Sequence, residues 1–200
     1  MIADQFEDDQ DYGAQQILIA SASSKTAIGL AYALRARADR PETIGMTSPA
    51  HVAQVEALDL YDRVIGYDAV DGLDASKRSA LVDLAGNGAV TRAVHERFGD
   101  ALVCSMVVGK SHWDAADEGG ALPGPQRMGF FAPGRSEKRI SDWGGELFQK
   151  PDAQAWGVFM ALAPDLTEIV LCKGGEGALQ AYRDMVAGDS DPLQSLLVEP

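Results

Sequence analysis

Residues 21–26 read Ser-Ala-Ser-Ser-Lys-Thr, four hydroxyls and a lysine within six positions. They stand between a short apolar run, Gln16–Ala20 (QILIA), and a stretch with apolar residues at helical spacing, AIGLAYALRARA. The run is consistent with a buried strand and the stretch with a helix. A strand-to-helix turn of this kind suits a phosphate, because a helix N-terminus offers unbonded N–H groups and a partial positive charge. Ser23, Ser24 and Thr26 can donate hydrogen bonds, and Lys25 adds a charge. Gly29 stands where a small residue lets the helix lie against the strand. The turn is not a G-x-G-x-x-G, and Ser24-Lys25-Thr26 lacks the glycines that precede a P-loop lysine. The alternative is a serine-rich turn that only caps a helix.

Four further positions could share that chemistry. A site for NAD ends its second strand on an Asp or Glu that holds the ribose 2′-hydroxyl. Here Glu42–Thr47 (ETIGMT) ends on Thr47 and is followed by Ser48, which leaves room for a 2′-phosphate and tilts the choice to NADP. The cation to meet that phosphate would be Arg35, Arg37 or His51, each of which also reads as an ordinary surface residue. Asn87 and Gly109 follow the fourth and fifth apolar runs and could line the same cleft, or serve as a turn residue and a strand terminator. His112, within KSHWD, could be an acid/base group or a solvated loop histidine.

Positioning these residues requires strands and helices in alternation. After Gln16–Ala20 and Glu42–Thr47, strands are expected at Arg63–Tyr67, Ser79–Ala85 and Ala101–Gly109. Helices are expected from Lys25, from Ser48 with Pro49 at its first position, and over Gly88–Phe98 with Gly99 as a stop. Near-continuous apolar strands separated by single helices argue for an α/β fold, a doubly wound parallel sheet of Rossmann type with helices on both faces, in a single domain. Residues 1–13, with five acids, form an acidic lead-in, and 14–200 form the domain. A long loop follows Gly109, then a strand at 128–132 (MGFFA) and an irregular charged stretch at 135–143. A helix over 152–163, a strand over 168–172, a helix over 177–187 and a closing strand, SLLV at 195–198, complete the chain.

Composition narrows the partners. A net charge of −13 repels phosphate backbones and anionic lipid, so no nucleic-acid or membrane-surface partner is expected. The one tight basic group, Arg35, Arg37 and Arg40, reads as a solvated helix end. Cys104 and Cys172 sit in apolar runs and read as buried, reduced strand residues. There is no Cys-x-x-Cys, and three scattered histidines make no zinc site, so no metal is expected. No apolar run approaches the ~20 residues that span a bilayer, and MIADQFEDDQDYG has no targeting character. A cytoplasmic location is the expectation.

The pieces ILIASASSKTAIGLAYALRA, ETIGMTSPAHVAQVEALDLYDRVIGYD and ALVDLAGNGAVTRAVHERFGDALVCSMVVG resemble, in order and texture, the cofactor-binding half of the medium-chain dehydrogenase/reductase superfamily, in its quinone- and enoyl-reductase branch. Leu58–Leu60 and Gly66-Tyr67 take the places of that superfamily's Leu-Gly-Ala and Asn-Tyr, and the tail from Gly177 is similar to its last helix and closing strand. More narrowly, SSKTAIGLAY and VGKSHWD resemble an uncharacterised branch catalogued as a domain of unknown function. The resemblance implies a pyrophosphate turn at Ser23, Ser24, Lys25, Thr26 and Gly29. It implies a 2′-phosphate region at Thr47 and Ser48, Tyr67 near the adenosine end, and Asn87 and Gly109 at the cleft edge. Two departures stand out: serines replace glycines in a longer turn, and Ala50 or His51 stands where NADP-binding members carry a basic residue. The GroES-like catalytic domain of the superfamily is expected to be absent from this chain.

The implied function is the NADPH-binding domain of a reductase that passes hydride to a carbonyl or an activated alkene. The alternative is a degenerate, non-catalytic fold acting as a nucleotide sensor or interaction protein. In either case the 128–132 strand could pair in a homodimer, with Phe130 and Phe131 at the interface or in the core. A methyltransferase on the same fold is less favoured, because it too wants a glycine-rich first turn and an acid ending the second strand.

Overall fold

The computed structural model describes residues 1–109, 121–146, 156–157, 159–161, 166–187 and 189–199. Contacts divide the chain into two compact units, Met1–Pro151 and Asp152–Pro200.

The first unit is a parallel sheet with its helices. A short helix α1 (Ile2–Asp8) and a 3-10 turn (Gln10–Gly13) lead into β1 (Gln16–Ala20). Then follow α2 (Lys25–Arg35), β2 (Glu42–Thr47), a 3-10 turn (Pro49–His51), α3 (Val52–Glu56) and β3 (Arg63–Gly66). A 3-10 segment (Tyr67–Gly72), β4 (Ser79–Asp83), α4 (Gly88–Phe98), β5 (Leu102–Val107), β6 (Met128–Gly129) and α5 (Ala132–Trp143) complete it. The strand order is β3-β2-β1-β4-β5-β6, and every pairing is parallel. The chain winds outward from β1 in one direction, then from β4 in the other, so the order reverses between β1 and β4. Ligands of open α/β sheets bind beyond the carboxyl ends of the strands at such a point.

Burial explains the arrangement. All five residues of β1 and all five of β4 are buried, as expected for central parallel strands covered on both faces. Leu18 and Ala20 join one core with Leu81 and with Val90, Val94 and Phe98 of α4. Side chains alternate along a strand, so Ile17 and Ile19, both fully buried, point to the other face. The second unit holds β7 (Glu168–Lys173), α6 (Gly174–Ala187) and β8 (Gln194–Glu199), with β7 and β8 paired in parallel register.

Several expectations are corrected. The stretch 135–143 is helical, not irregular. Its basic residues Arg135 and Arg139 lie one turn apart and both reach the carboxylates of α1: Arg135 meets Asp8 at 3.0 Å and Arg139 meets Asp4 at 2.9 Å. The 128–132 strand is only Met128–Gly129, because α5 starts at Ala132 with Pro133 in its first turn, and Phe131 sits at its N-cap, 70% exposed and outside the core. The helix expected from Ser48 divides into a 3-10 turn and a short α3. β4 stops at Asp83 and β5 at Val107, two residues short of the expected ends. Of the arginine group, Arg35 is the expected solvated helix end, paired with an exposed Asp59, whereas Arg37 and Arg40 are held more deeply. Arg37 forks onto Asp11 at 2.7 and 2.8 Å with both side chains largely buried, Arg40 pairs with Asp62 at 2.8 Å, and Arg35 with Asp59 at 3.1 Å. Cys104 is buried, and burial pushes its thiol up to about 12; Cys172 is only half-buried. Of the helix expected over 152–163, residues 156–157 and 159–161 are described, and they are helical.

Candidate functional site

The turn after β1 is built by its neighbours. Ser21 takes a left-handed conformation (φ +58°), which swings the chain out of the sheet. The Ser24 N–H then donates back to the Ser21 carbonyl at 2.8 Å, and the Ala22 N–H donates to the Met46 carbonyl of β2 at 3.0 Å. Two tyrosines clamp the turn. The Tyr67 hydroxyl accepts the Ser21 N–H at 3.0 Å, and the Tyr61 hydroxyl donates to the Ala22 carbonyl at 2.8 Å. Burial raises the Tyr61 phenol well above its ordinary range, so it stays a donor. Gly45 makes room for that ring: a Cβ there would fall 2.9 Å from Tyr61 Cγ and 3.0 Å from Ala22 Cβ.

The helix that follows is capped from within. Ser24 Oγ accepts the Ala27 N–H at 3.3 Å, so the capping reading of this serine holds. Capping uses a lone pair and leaves the hydroxyl proton to donate elsewhere. Ser23 is buried, Lys25 and Thr26 are exposed, and Gly29 is half-buried one turn further on.

At the end of β2, Thr47 is buried and Ser48 Oγ lies 2.9 Å from His51 Nδ1. Thr47 is in register with Gly66 at the end of β3. A Cβ at Gly66 would meet Asp68 Oδ1 at 2.3 Å and Pro49 Cγ at 3.4 Å, so an acid stands at this corner as well. With the three arginines held on carboxylates, His51 is the basic residue bonded to the Ser48 hydroxyl.

At the end of β4 the structure reveals a residue that sequence reasoning missed. Asp83 is 2% exposed and lies at the reversal of strand order. Its carboxylate accepts from the Ala85 N–H (3.1 Å), the Gly86 N–H (2.8 Å), the Thr91 hydroxyl (3.0 Å) and Arg127 Nη2 (3.2 Å). It thereby folds the turn that presents Asn87, whose Oδ1 caps α4 by accepting the Val90 N–H at 3.3 Å. Gly109 follows β5, and a Cβ there would stand 3.0 Å from the Leu84 carbonyl oxygen, so glycine lets the two strand ends close up. A second missed pair lies deeper: His95 bonds Ser105 Oγ through Nε2 and the Pro123 carbonyl through Nδ1, each at 2.8 Å. His112 lies outside the described residues.

The candidate residues thus share one edge, the carboxyl ends of β1 to β5. The β1 turn and Tyr67 are directly bonded, Thr47 and Ser48 adjoin the β3 end, and Asn87 and Gly109 flank the β4 turn. Among the described residues no three His, Cys, Asp or Glu side chains are grouped to hold a metal, and no helix is long and apolar enough to cross a membrane.

A model of the family described as Protein of unknown function (DUF2855) matches residues 1–191. The chain belongs to that family. Among curated proteins nothing matches it. Solved structures share the fold of this DUF2855 chain at low identity. CurA from Vibrio vulnificus is 13% identical with a TM-score of 0.59, covering 100% of this chain and 62% of its own. A candidate NADPH:quinone reductase from Mesorhizobium loti is 12% identical at a TM-score of 0.59, covering 100% and 57%. Etr1p, solved with NADP and crotonyl-CoA, is 14% identical at a TM-score of 0.54, covering 92% and 54%. CurA is also solved with NADPH. The chain therefore spans less than two thirds of these relatives, and what they share with it is the Rossmann-type fold.

Proposed function

We propose that this DUF2855 chain is the NADPH-binding domain of a reductase. The observation that carries the reading is the β1–α2 turn: small, hydroxyl-rich, clamped by Tyr61 and Tyr67, and set at the reversal of strand order. The donor set fits a dinucleotide. The first turn of α2 offers the orphan N–H groups of a helix start, with the hydroxyls of Ser23, Ser24 and Thr26 and the charge of Lys25 for the pyrophosphate. Thr47 ends β2 without the carboxylate that holds a ribose 2′-hydroxyl, and Ser48 with His51 supplies donors for a 2′-phosphate there, across the corner from Asp68. Asn87 and Gly109 border the nicotinamide end, where the lack of a side chain on Gly109 keeps the strand ends close. The bound cofactor would supply a hydride for a carbonyl or an activated alkene. The chain's part is to bind and orient it. The NADP-bound and NADPH-bound relatives support the choice of ligand.

The test is a calorimetric titration with NADPH and NADH of the intact chain and of Lys25→Ala. Saturable binding of NADPH, tighter than NADH, with a loss of about tenfold or more in Lys25→Ala, is expected for a charge-assisted phosphate contact worth about 1.5–3 kcal/mol. Absence of binding at millimolar nucleotide would sink the reading.

A further inference from the structure

An apolar groove of about 530 Å³ opens beside the proposed cofactor edge. One wall is a stripe of α2, with Thr26, Gly29, Leu30 and Ala33 spaced at three and four residues along one helix face. The other wall comes from Ile2 at the start of α1, Val108 just beyond β5, and Phe131 before α5. None of the lining residues carries a charged side chain, and Thr26 bears the one hydroxyl. The volume is that of a small-molecule site, which runs roughly 300–1,000 Å³.

The groove's position gives it a direction. At one end Thr26 is in the first turn of α2, directly after the phosphate turn, and Val108 is next to Gly109. The apolar length then runs away from that end past Leu30 and Ala33. Its second wall is pinned together. Asp4 and Asp8 of α1 hold Arg135 and Arg139 of α5, both arginines 8% exposed, and Arg139 also stacks 4.5 Å over the Trp143 ring. That wall is therefore preformed, which lowers the ordering cost of filling the groove.

We infer that this groove binds the apolar chain of an uncharged substrate, with the reducible group at the Thr26–Val108 end; the assignment of that end rests on the cofactor reading above. The side chains along it offer a carboxylate or a phosphorylated carrier no charged partner, and burying an unpaired charge is costly. The substrate class is thus a neutral aliphatic carbonyl or alkene compound.

The test uses 2-alkanones of six to twelve carbons, with decanoate as the charged comparison, titrated calorimetrically into the intact chain. Affinity for the ketones should rise about fourfold with each methylene that enters the groove, and decanoate should bind at least tenfold more weakly than 2-decanone. Ala33 is exposed on the helix, so Ala33→Phe fills the groove without touching the core. It should weaken 2-decanone at least tenfold and leave the NADPH titration unchanged. Lys25→Ala should do the reverse, so failure of the cofactor reading is seen separately from failure of the groove. Equal binding of decanoate and 2-decanone, or an Ala33→Phe variant that binds 2-decanone as well as the parent, would overturn the inference. So would a dimer in sedimentation that Ala33→Phe abolishes, since that gives the groove to a second copy of the chain.

Discussion

Replacing Asp83 separates what its carboxylate accepts from what its charge does. In Asp83→Ala, four donors lose their acceptor at a position 2% exposed. The Ala85 N–H and the Thr91 hydroxyl are buried, whereas Arg127 is 30% exposed and can turn to water. Each buried donor left unsatisfied costs about 1–3 kcal/mol. With two such donors and a half-buried third at Gly86, Asp83→Ala should destabilise by roughly 3–4 kcal/mol. Asp83→Asn keeps one oxygen, which can still accept from Ala85 and Gly86, and sets its amide against Thr91 and Arg127. Thr91 can accept in place of donating, and Arg127 cannot. The cost should therefore fall to about 1–2 kcal/mol. The assay is urea unfolding at pH 7 for both variants, followed by circular dichroism, with the denaturant slope checked for constancy. Amide exchange at the α4 N-terminus gives a local reading: protection of Val90 should fall in Asp83→Ala, because the turn that carries the Asn87 cap loosens. Equal destabilisation by the two variants, or an Asp83→Ala midpoint matching the parent, would refute the claim that two backbone hydrogen bonds hold this turn.

Three further outcomes follow from the same contacts. Tyr67→Phe removes the acceptor for the Ser21 N–H and should lower stability by about 0.5–1.5 kcal/mol, the worth of a neutral hydrogen bond, read as a fall in the urea midpoint, and should weaken NADPH by loosening the turn. Burial holds the His95 imidazole below its ordinary range. The unfolded chain then takes up this proton at about pH 6.5 while the folded one resists it, so stability should fall as pH drops below that value and level off under the depressed folded pKa. His95→Gln should abolish that limb in urea midpoints measured from pH 8 to 5. The Arg40 guanidinium, with the Thr43 N–H and hydroxyl, holds the Asp62 carboxyl far below the usual range. Its stabilisation is present above the unfolded value of about 3.9 and is lost as pH falls from there, and Arg40→Ala, by raising the folded value toward the unfolded one, should shorten that acid limb and lower the urea midpoint at pH 7.

What could be read in the sequence was whatever a repeating period or a local turn determines. The five apolar runs located β1 to β5 because a parallel strand buried on both faces needs apolar residues at every position, and the order of strands and helices follows from that. The β1 turn was legible for the same reason: Ser24 acts on Ala27, three residues away. Contacts across long separations were not legible. Nothing local tells that Arg37 reaches Asp11, that Arg135 reaches Asp8 across 127 residues, or that Tyr61 and Tyr67 converge on one turn. The charged stretch at 135–143 reads as irregular because its helical face is basic where an ordinary buried face is apolar. Its partner is the acidic lead-in, whose five acids look like solvated charge until α1 is seen to lie against α5. Asp83 was missed for a related reason. An acid after an apolar run reads as the polar residue that ends a strand, and it does end one. Only the burial, with four donors turned inward, shows that it ends the strand by folding the chain onto itself. The two misreadings have one cause, that a charge satisfied at long range looks in sequence like a charge satisfied by water. Acids at the ends of the central strands, and basic residues at helical spacing opposite an acidic segment, are therefore the places in this family where substitution should cost more than composition suggests.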